Sequence, residues 1–275
     1  MTNPNMSDVL KKSIGGGTAG AMAMTVQVSS LMWLRTTMNY QYRYGTSTNQ
    51  ALKTLYNNGG IRRFYRGYLP ALAIGPLSRF GDTVTNTYAL NYLENTNLPT
   101  SIKTMAGSGL AASCRAFLMP IDAFKTTLQV EGKPGINLLK NKIKTSGVRT
   151  LFHGTLAQMS ATFVGHYPWF LTYNVLNDKL PKYDGVMKFL RNGFIGFNAA
   201  VISDCCSNSL RVIKTTKQTS INKINYIDTV KLIIKEDGIS GLFGRGLKTR
   251  ILTNGIQGIV FTISWKYFED KYFKN

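Results

Sequence analysis

The sequence predicts an all-α membrane protein of six transmembrane helices, arranged as three pseudo-symmetric two-helix repeats. Three observations predict it. First, two markers recur with one period. The block Gly60-Ile-Arg-Arg-Phe64-Tyr65-Arg-Gly67 resembles Gly147-Val-Arg-Thr-Leu151-Phe152-His-Gly154, and both resemble Gly238-Ile-Ser-Gly-Leu242-Phe243-Gly-Arg-Gly246, which carries one extra residue. Upstream of each block a basic residue is followed four positions later by an amide: Arg35/Asn39, Lys125/Gln129 and Lys214/Gln218. These pairs lie about 90 residues apart, and 275 residues hold three such units. Second, charges leave long gaps, with none between Lys12 and Arg35, between Arg149 and Asp178, or between Arg250 and Lys266. A spanning helix needs ~20 mostly apolar residues, and the first two gaps are long enough. Third, the chain carries a net charge of +20, yet only 17% of its residues are charged and 44% are hydrophobic. That balance excludes a disordered basic tail. It leaves a basic nucleic-acid binder or a membrane protein with a polar interior.

The elements follow in order. Residues 1–13 carry Lys11 and Lys12 but show no Arg-rich presequence and no secretory signal. Residues 1–275 then form a single membrane domain, with repeat 1 at 13–94, repeat 2 at 100–180 and repeat 3 at 186–274. Each repeat opens with an apolar helix rich in small residues. A basic amphipathic stretch follows, at 50–56, 136–143 and 226–234; in the last, Ile227, Val230 and Ile234 recur at helical spacing. The glycine–aromatic–glycine turn and a second apolar helix complete the unit. Short links at 94–100 and 179–185 place all the long loops on one side. Three further candidate helices are interrupted by charge: 69–92 by Arg79 and Asp82, 102–121 by Arg115 and 192–210 by Asp204. Intramembrane charges are tolerated where they face a water-filled interior. Gly16 and Gly20, Gly107 and Gly109, and Gly193 and Gly196 read as close-packing positions between helices. Cys114, Cys205 and Cys206 have no histidine partners, so they read as small packing residues; no metal site and no cofactor is expected.

The segment Pro120-Ile-Asp122-Ala-Phe-Lys125-Thr-Thr-Leu-Gln129 resembles the proline–acid–base motif of the mitochondrial carrier family, with its following glutamine. Gly147 to Gly154 follows at that family's distance, and the resemblance covers roughly residues 13–274. It implies a pseudo-threefold bundle in the mitochondrial inner membrane that moves a small metabolite by alternating access, as an antiporter or uniporter. It implies no enzymatic activity, a monomer, and an anionic lipid such as cardiolipin on the matrix side. Carrier-fold proteins also occur in peroxisomal and other organelle membranes.

The resemblance further implies a matrix gate built from Arg35, Asn39, Asp122, Lys125, Gln129, Arg211, Lys214 and Gln218, in which acids of one repeat pair with bases of the next and the glutamine bridges beneath. This sequence departs from that pattern. Ser30, Met32 and Arg35 occupy the motif positions in repeat 1, and Ser209, Arg211 and Lys214 in repeat 3. One acid, Asp122, therefore faces four bases, which predicts a weak gate with coupling between Asp122 and Lys214 or Arg35. The opposite, cytoplasmic gate aligns with Tyr173, Asn174 and Asn177 in repeat 2, and with Lys266 and Glu269 in repeat 3, where the charges are exchanged. A solvated helix end fits Lys266 and Glu269 equally well. Repeat 1 has no charged pair near Asn86.

Counting from Gly67, Gly154 and Gly246 along the second helices, the seventh position gives Ile74, Ala161 and Thr253, and the eighth gives Gly75, Thr162 and Asn254. These resemble the family's substrate contact points. Arg79 and His166 share the twelfth position, with Gln257 beside it in repeat 3. In the first helices Thr25, Arg115 and Asp204 fall at one depth on one face. An unpaired charge in hydrocarbon is costly, so Arg79, Arg115 and Asp204 are expected to line the cavity, unless Arg115 and Asp204 pair with each other. His166 has a structural reading beside its ligand one, and Asp82 can pair with Arg79. Two arginines against one aspartate suit an anionic or zwitterionic solute, an amino or carboxylic acid. A nucleotide or nucleotide cofactor is the alternative, with Arg79 and Arg115 on its phosphates. A non-transporting adaptor of the same fold is a further alternative, suggested by the degenerate gates. Nucleic acid is not an expected partner, because the Lys and Arg residues sit mainly in loops between apolar helices rather than on one aromatic-interleaved face. Those loops lie on one side, which by the positive-inside rule is the matrix face.

Overall fold

The computed structural model describes residues 6–78, 93, 96, 100–222 and 224–272. Its elements are α1 (Met6–Tyr44), α2 (Thr48–Asn57), α3 (Gly60–Phe64), α4 (68–78), α5 (Thr100–Phe117), α6 (Met119–Glu131), α7 (Pro134–Ser146), a 3-10 turn (Val148–Phe152), α8 (Thr155–Lys179), α9 (Gly185–Thr219), α10 (Tyr226–Gly244) and α11 (Leu247–Tyr272). The described residues contain no strand. Long helices alternate with short ones in the order the repeats predict.

The odd-numbered long helices are α1, the α5–α6 pair and α9. Only the middle one is broken. Leu118 separates α5 from α6, and Pro120 sits in the first turn of α6. A proline lacks the N–H that would continue the helix, so a break falls where a proline is present. In α1 the equivalent position is Ser30, whose hydroxyl donates to the Val26 carbonyl at 2.8 Å, and the helix runs on. In α9 it is Ser209, and that helix too is unbroken.

The helices close into a ring. α8 packs along α9, α5 along α8, α11 against α9 and α1 along α11. At one end α1, α6 and α9 all touch one another. The first and third repeats are joined by Gln27 Nε2 donating to the Gln257 carbonyl at 3.2 Å, and by Thr216 Oγ1 donating to the Tyr42 carbonyl at 3.1 Å. Buried Tyr42 adds an apolar contact there, packed with Val212 and Ile233.

The basic stretches form α2, α7 and the first part of α10. Ser47 starts α2 with a capping box: Gln50 N–H donates to its side chain, and Gln50 reaches back to its backbone. The stretches in α7 and α10 end at Gly147 and Gly238, with φ of 73 and 68°, and α2 gives way through Asn58 to Gly59 and Gly60, with φ of 143 and 61°. That backbone region is open to glycine at no steric cost and turns the chain toward the next long helix.

The bundle is polar inside and apolar outside. Asp122, Gln129, Thr162, Asp204, Asn208 and Lys214 are buried. Phe117, Leu156, Leu171, Leu190, Phe194 and Ile263 are exposed on the long helices. Among the described residues no helix is long and apolar enough to cross a membrane. The gaps at 12–35 and 149–178, expected to suffice, therefore do not qualify as apolar spans: the first is rich in Gly, Ser and Thr, the second in Gly, Thr, Tyr and Asn.

Two packing expectations change. A Cβ at Gly109, Gly193 or Gly196 would meet nothing within 4 Å, so these are not close-packing positions. Close approach occurs instead at Gly165, whose carbonyl accepts from Ser203 Oγ at 2.7 Å across the α8–α9 interface. Cys205 and Cys206 are exposed free thiols rather than packing residues, and Cys114 is half-buried.

Candidate functional site: a central cavity above an asymmetric gate

A cavity of about 620 Å³ occupies the axis of the ring. Every long helix with described side chains contributes to its wall, from Met24 and Gln27 on α1 to Asn254 and Gln257 on α11. Its charged lining among the described residues is Arg35, Arg115, Lys125, Arg211, Lys214 and Arg250 against Asp122 and Asp204.

The cavity ends where the odd helices meet. Asp122 lies there in the first turn of α6, aimed inward by the break at Leu118. Lys125, one turn on, donates to its Oδ1 at 2.5 Å, and Lys214 of α9 donates to Oδ2. Asp122 and Lys214 are both buried. Beneath them Asn39 Nδ2 donates to Gln129 Oε1 at 2.6 Å, joining α1 to α6, and Gln129 Nε2 contacts the Met32 sulfur at 3.5 Å. Gln218 of repeat 3 makes no side-chain hydrogen bond among the described residues, although it is buried. With the Gln257 amide oriented to satisfy both groups, Arg35 Nε and Nη2 donate to its oxygen at 2.9 and 3.2 Å. Thus α6 and α9 are joined by charge, while α1 is joined to α6 by an amide pair.

Arg211, at the acid position of repeat 3, donates Nε to Ser207 Oγ at 3.3 Å. No carboxylate among the described residues lies within ion-pairing distance of it. Asp204 pairs elsewhere: Arg250 Nε donates to its Oδ1 at 2.6 Å and Asn254 Nδ2 donates to its Oδ2. The α9–α11 contact therefore engages both carboxylate oxygens. Arg250 and Asn254 are one turn apart on α11, so both reach the same carboxylate. Arg250 is the residue that the reading of the sequence missed; its position one turn before Asn254 was the available signal.

The remaining positions are placed as follows. Arg115, Thr162, His166, Thr253, Asn254 and Gln257 all line the cavity. Thr162 accepts from Gln158 Nε2 at 3.3 Å, and His166 Nδ1 lies 2.5 Å from Ser108 Oγ. Ala161 is fully buried and packs away from the cavity. At the far end of α8, Tyr173 stacks on Trp169 with ring centroids 5.2 Å apart, and Asn174 is exposed. Asn177 accepts from Arg191 Nη1 at 3.0 Å through its side chain and from Arg191 Nη2 through its carbonyl. Arg191 thereby caps the end of α8. Arg79, Asp82 and Asn86, and the side chains of Lys266 and Glu269, lie outside the described residues.

Some basic residues outside the long helices are structural. Arg63 is buried and donates to the Gln129 and Val130 carbonyls at 2.8 and 2.6 Å, satisfying the open end of α6. Arg245 is buried between Asp237 and Glu236 at 2.7 and 2.9 Å and donates to the Arg43 carbonyl. Lys142 of α7 donates to the Gln218 carbonyl at 3.1 Å. Burial, with Arg43 and Lys217 nearby and Glu131 only partly compensating, pushes its ammonium down to about 8. The unfolded value is about 10.4, so between pH 8 and 10.4 the unfolded chain binds more protons. Stability should therefore rise with pH across that window. Lys142→Met should flatten the rise, as read from melting temperature against pH; an unchanged slope would contradict it.

The three glycines that start the second helices explain why the same residue recurs there. Gly67, Gly154 and Gly246 have φ of 80, 88 and 66°. A Cβ on Gly67 would lie 2.8 Å from the Lys125 carbonyl, one on Gly154 3.2 Å from the Lys214 carbonyl, and one on Gly246 3.3 Å from the Met38 carbonyl. Each repeat thus seats the start of its second helix on the gate segment of the next repeat.

A pseudo-threefold helical ring around a polar axial cavity defines the class of protein. The family model described as "Mitochondrial carrier protein" matches the chain three times, at residues 5–97, 96–184 and 185–275. The chain belongs to that family, whose members are carriers rather than enzymes. It is 28% identical over 155 residues to the nicotinamide adenine dinucleotide transporter 2 of Arabidopsis thaliana, a match covering 50% of this chain and 43% of that protein. It is 22% identical to the thiamine pyrophosphate carrier 1 of Meyerozyma guilliermondii, over 91% of each chain. It is 23% identical to the mitochondrial glycine transporter of Emericella nidulans, over 93% of this chain and 86% of the relative. The chain spans less than half the length of the first of these relatives.

Proposed function

We propose that the protein carries a small anionic or zwitterionic solute across the mitochondrial inner membrane by alternating access, spanning the bilayer with six helices. One observation carries the reading: a polar cavity on the axis, lined by both signs of charge, inside a ring whose long helices expose apolar side chains. Exposed apolar side chains along every long helix fit contact with membrane or partner. The charges and hydroxyls on the inner faces lower the hydropathy of each helix without facing lipid. The cavity is closed at Asp122, and the second state requires separating α6 from α9 there. The basic loops and α2, α7 and α10 then face the matrix, against anionic lipid. The relatives are named for a dinucleotide, a diphosphate vitamin and an amino acid, so their names favour no single substrate.

The reading is tested in proteoliposomes containing the purified chain, with a panel of carboxylates, amino acids and nucleotides. Saturable uptake of at least one of them is expected. Uptake of none by folded protein, or release of the native protein from mitochondria by alkaline carbonate, would contradict it.

A further inference from the structure

We propose that three cations set outside the long helices form a second closing ring beneath the gate, and that this ring holds the two seams the gate leaves without a motif acid. The inference rests on the carrier reading above and adds to its closed state. The three are Arg63 of α3, Lys142 of α7 and Arg245 just after α10. Each donates to the penultimate carbonyl of the next repeat's first long helix. Arg63 of repeat 1 reaches Val130, and Gln129 beside it, at the end of α6. Lys142 of repeat 2 reaches Gln218 at the end of α9. Arg245 of repeat 3 reaches Arg43 at the end of α1. The contacts run from each repeat to the next and close on themselves. A cation suits this place, because the last carbonyls of a helix lack intrahelical donors and form the negative end of its dipole. The three residues occupy different positions in their repeats, so no shared motif announces the ring.

The ring is strong where the gate is weak. Asp122 and Lys214 join repeat 2 to repeat 3 by charge. At that seam the ring supplies one bond of 3.1 Å from a half-buried lysine, and α9 passes into Ser220 with no glycine at its end. Met32 and Arg211 stand at the acid positions of repeats 1 and 3, so the other two seams have no motif acid. There the ring uses buried guanidinium groups. Arg63 makes two bonds, at 2.8 and 2.6 Å. Arg245 is held by Asp237 and Glu236 at 2.7 and 2.9 Å while it reaches α1. Both of these helices end on a glycine that forms the seat. Gly132 follows α6 with φ of 71°, and a Cβ on it would lie 3.1 Å from Arg63 Nε. Gly45 follows α1 with φ of 67°, and a Cβ on it would lie 2.9 Å from Arg245 Nε and overlap the Asp237 carboxylate. The degenerate gate is thus backed seam by seam.

The test restores the missing acids one at a time. Melting temperature of the full chain in detergent, at neutral pH, is measured for Arg63→Met, Arg245→Met and Lys142→Met, alone and combined with Met32→Glu or Arg211→Glu. Each loss is taken against the same background with its cation intact. Arg63→Met and Arg245→Met should each lower the melting temperature by about 3–8 °C, and Lys142→Met by less. Met32→Glu returns an acid to the seam between repeats 1 and 2, so it should shrink the loss in Arg63→Met and leave that in Arg245→Met unchanged. Arg211→Glu, at the seam between repeats 3 and 1, should do the reverse. A purely local role for either arginine would give additive losses. Where a methionine variant fails to fold, Arg63→Lys or Arg245→Lys replaces it; the charge stays, the fork is lost, and a smaller loss with the same seam-specific recovery is expected. Either acid decides the question for its own seam. Additive losses throughout, recovery that ignores the seam, or a larger loss in Lys142→Met than in either arginine variant would overturn the proposal. The readout needs no transport, so its failure leaves the carrier reading standing. Seam-specific recovery in a chain that takes up no solute would count against transport alone.

Discussion

Asp122→Ala is expected to lower the stability of the ring by about 3–5 kcal/mol, because it takes from Lys125 and Lys214 the one carboxylate they share. Asp122 is buried, with Lys125 on Oδ1 and Lys214 on Oδ2. Lys214 is buried as well and has no other acid within ion-pairing distance among the described residues. The pair joins α6 to α9, so its loss should also loosen the closed end of the cavity. A double-mutant cycle separates the partners. Asp122→Ala with Lys214→Met should show an interaction energy of roughly 1–3 kcal/mol, since a close charged pair is being dissected. Asp122→Ala with Arg35→Met should be additive within about 0.5 kcal/mol, since Arg35 faces Gln257 instead. The cycle is read by thermal or denaturant unfolding in detergent. Strong coupling to Arg35 would place it in the gate and contradict the arrangement described above.

Gly67→Ala should have the next largest effect. The residue has a positive φ of 80°, and its new Cβ would sit 2.8 Å from the Lys125 carbonyl. Backbone strain of this kind costs about 1–3 kcal/mol, and the contact can be relieved only by moving α4 off α6. The damage should reach the gate, because Lys125 is the residue displaced. Gly109→Ala makes the contrasting control. A Cβ there meets nothing within 4 Å, and the site lies within α5, so the change should be neutral or stabilising by about 0.5–1 kcal/mol. Equal melting temperatures for the two variants would show that the glycine seats do not hold the repeats together.

The ring was legible because repetition survives where individual motifs decay. Gly67, Gly154 and Gly246 serve the same steric purpose in each repeat, and Pro120 breaks the one odd helix that contains it. The shortage of acids around Asp122 was legible, but the choice between Lys214 and Arg35 as its partner was not. Asp122 can pair with any nearby base, and only the packing of α6 on α9 selects Lys214 over Arg35. Asp204 illustrates the same limit. Its depth matched that of Arg115, yet the carboxylate turns to α11, where Arg250 and Asn254 offer two donors one turn apart. Arg63 and Arg245 were hidden for a different reason. Each lies in one of the repeated glycine–aromatic–glycine turns, and nothing local marks an arginine that will be buried on the carbonyl end of a distant helix.

The central claim is that the axial cavity is a solute path whose lining charges bind what crosses. It is tested most directly by uptake of a panel of labelled carboxylates, amino acids and nucleotides into proteoliposomes, comparing the parent chain with Arg115→Ala and Asp204→Asn. The account predicts saturable uptake of at least one solute by the parent, abolished or strongly reduced in Arg115→Ala and in Asp204→Asn, where Arg250 loses its charged partner. Equal uptake by all three folded proteins would contradict it.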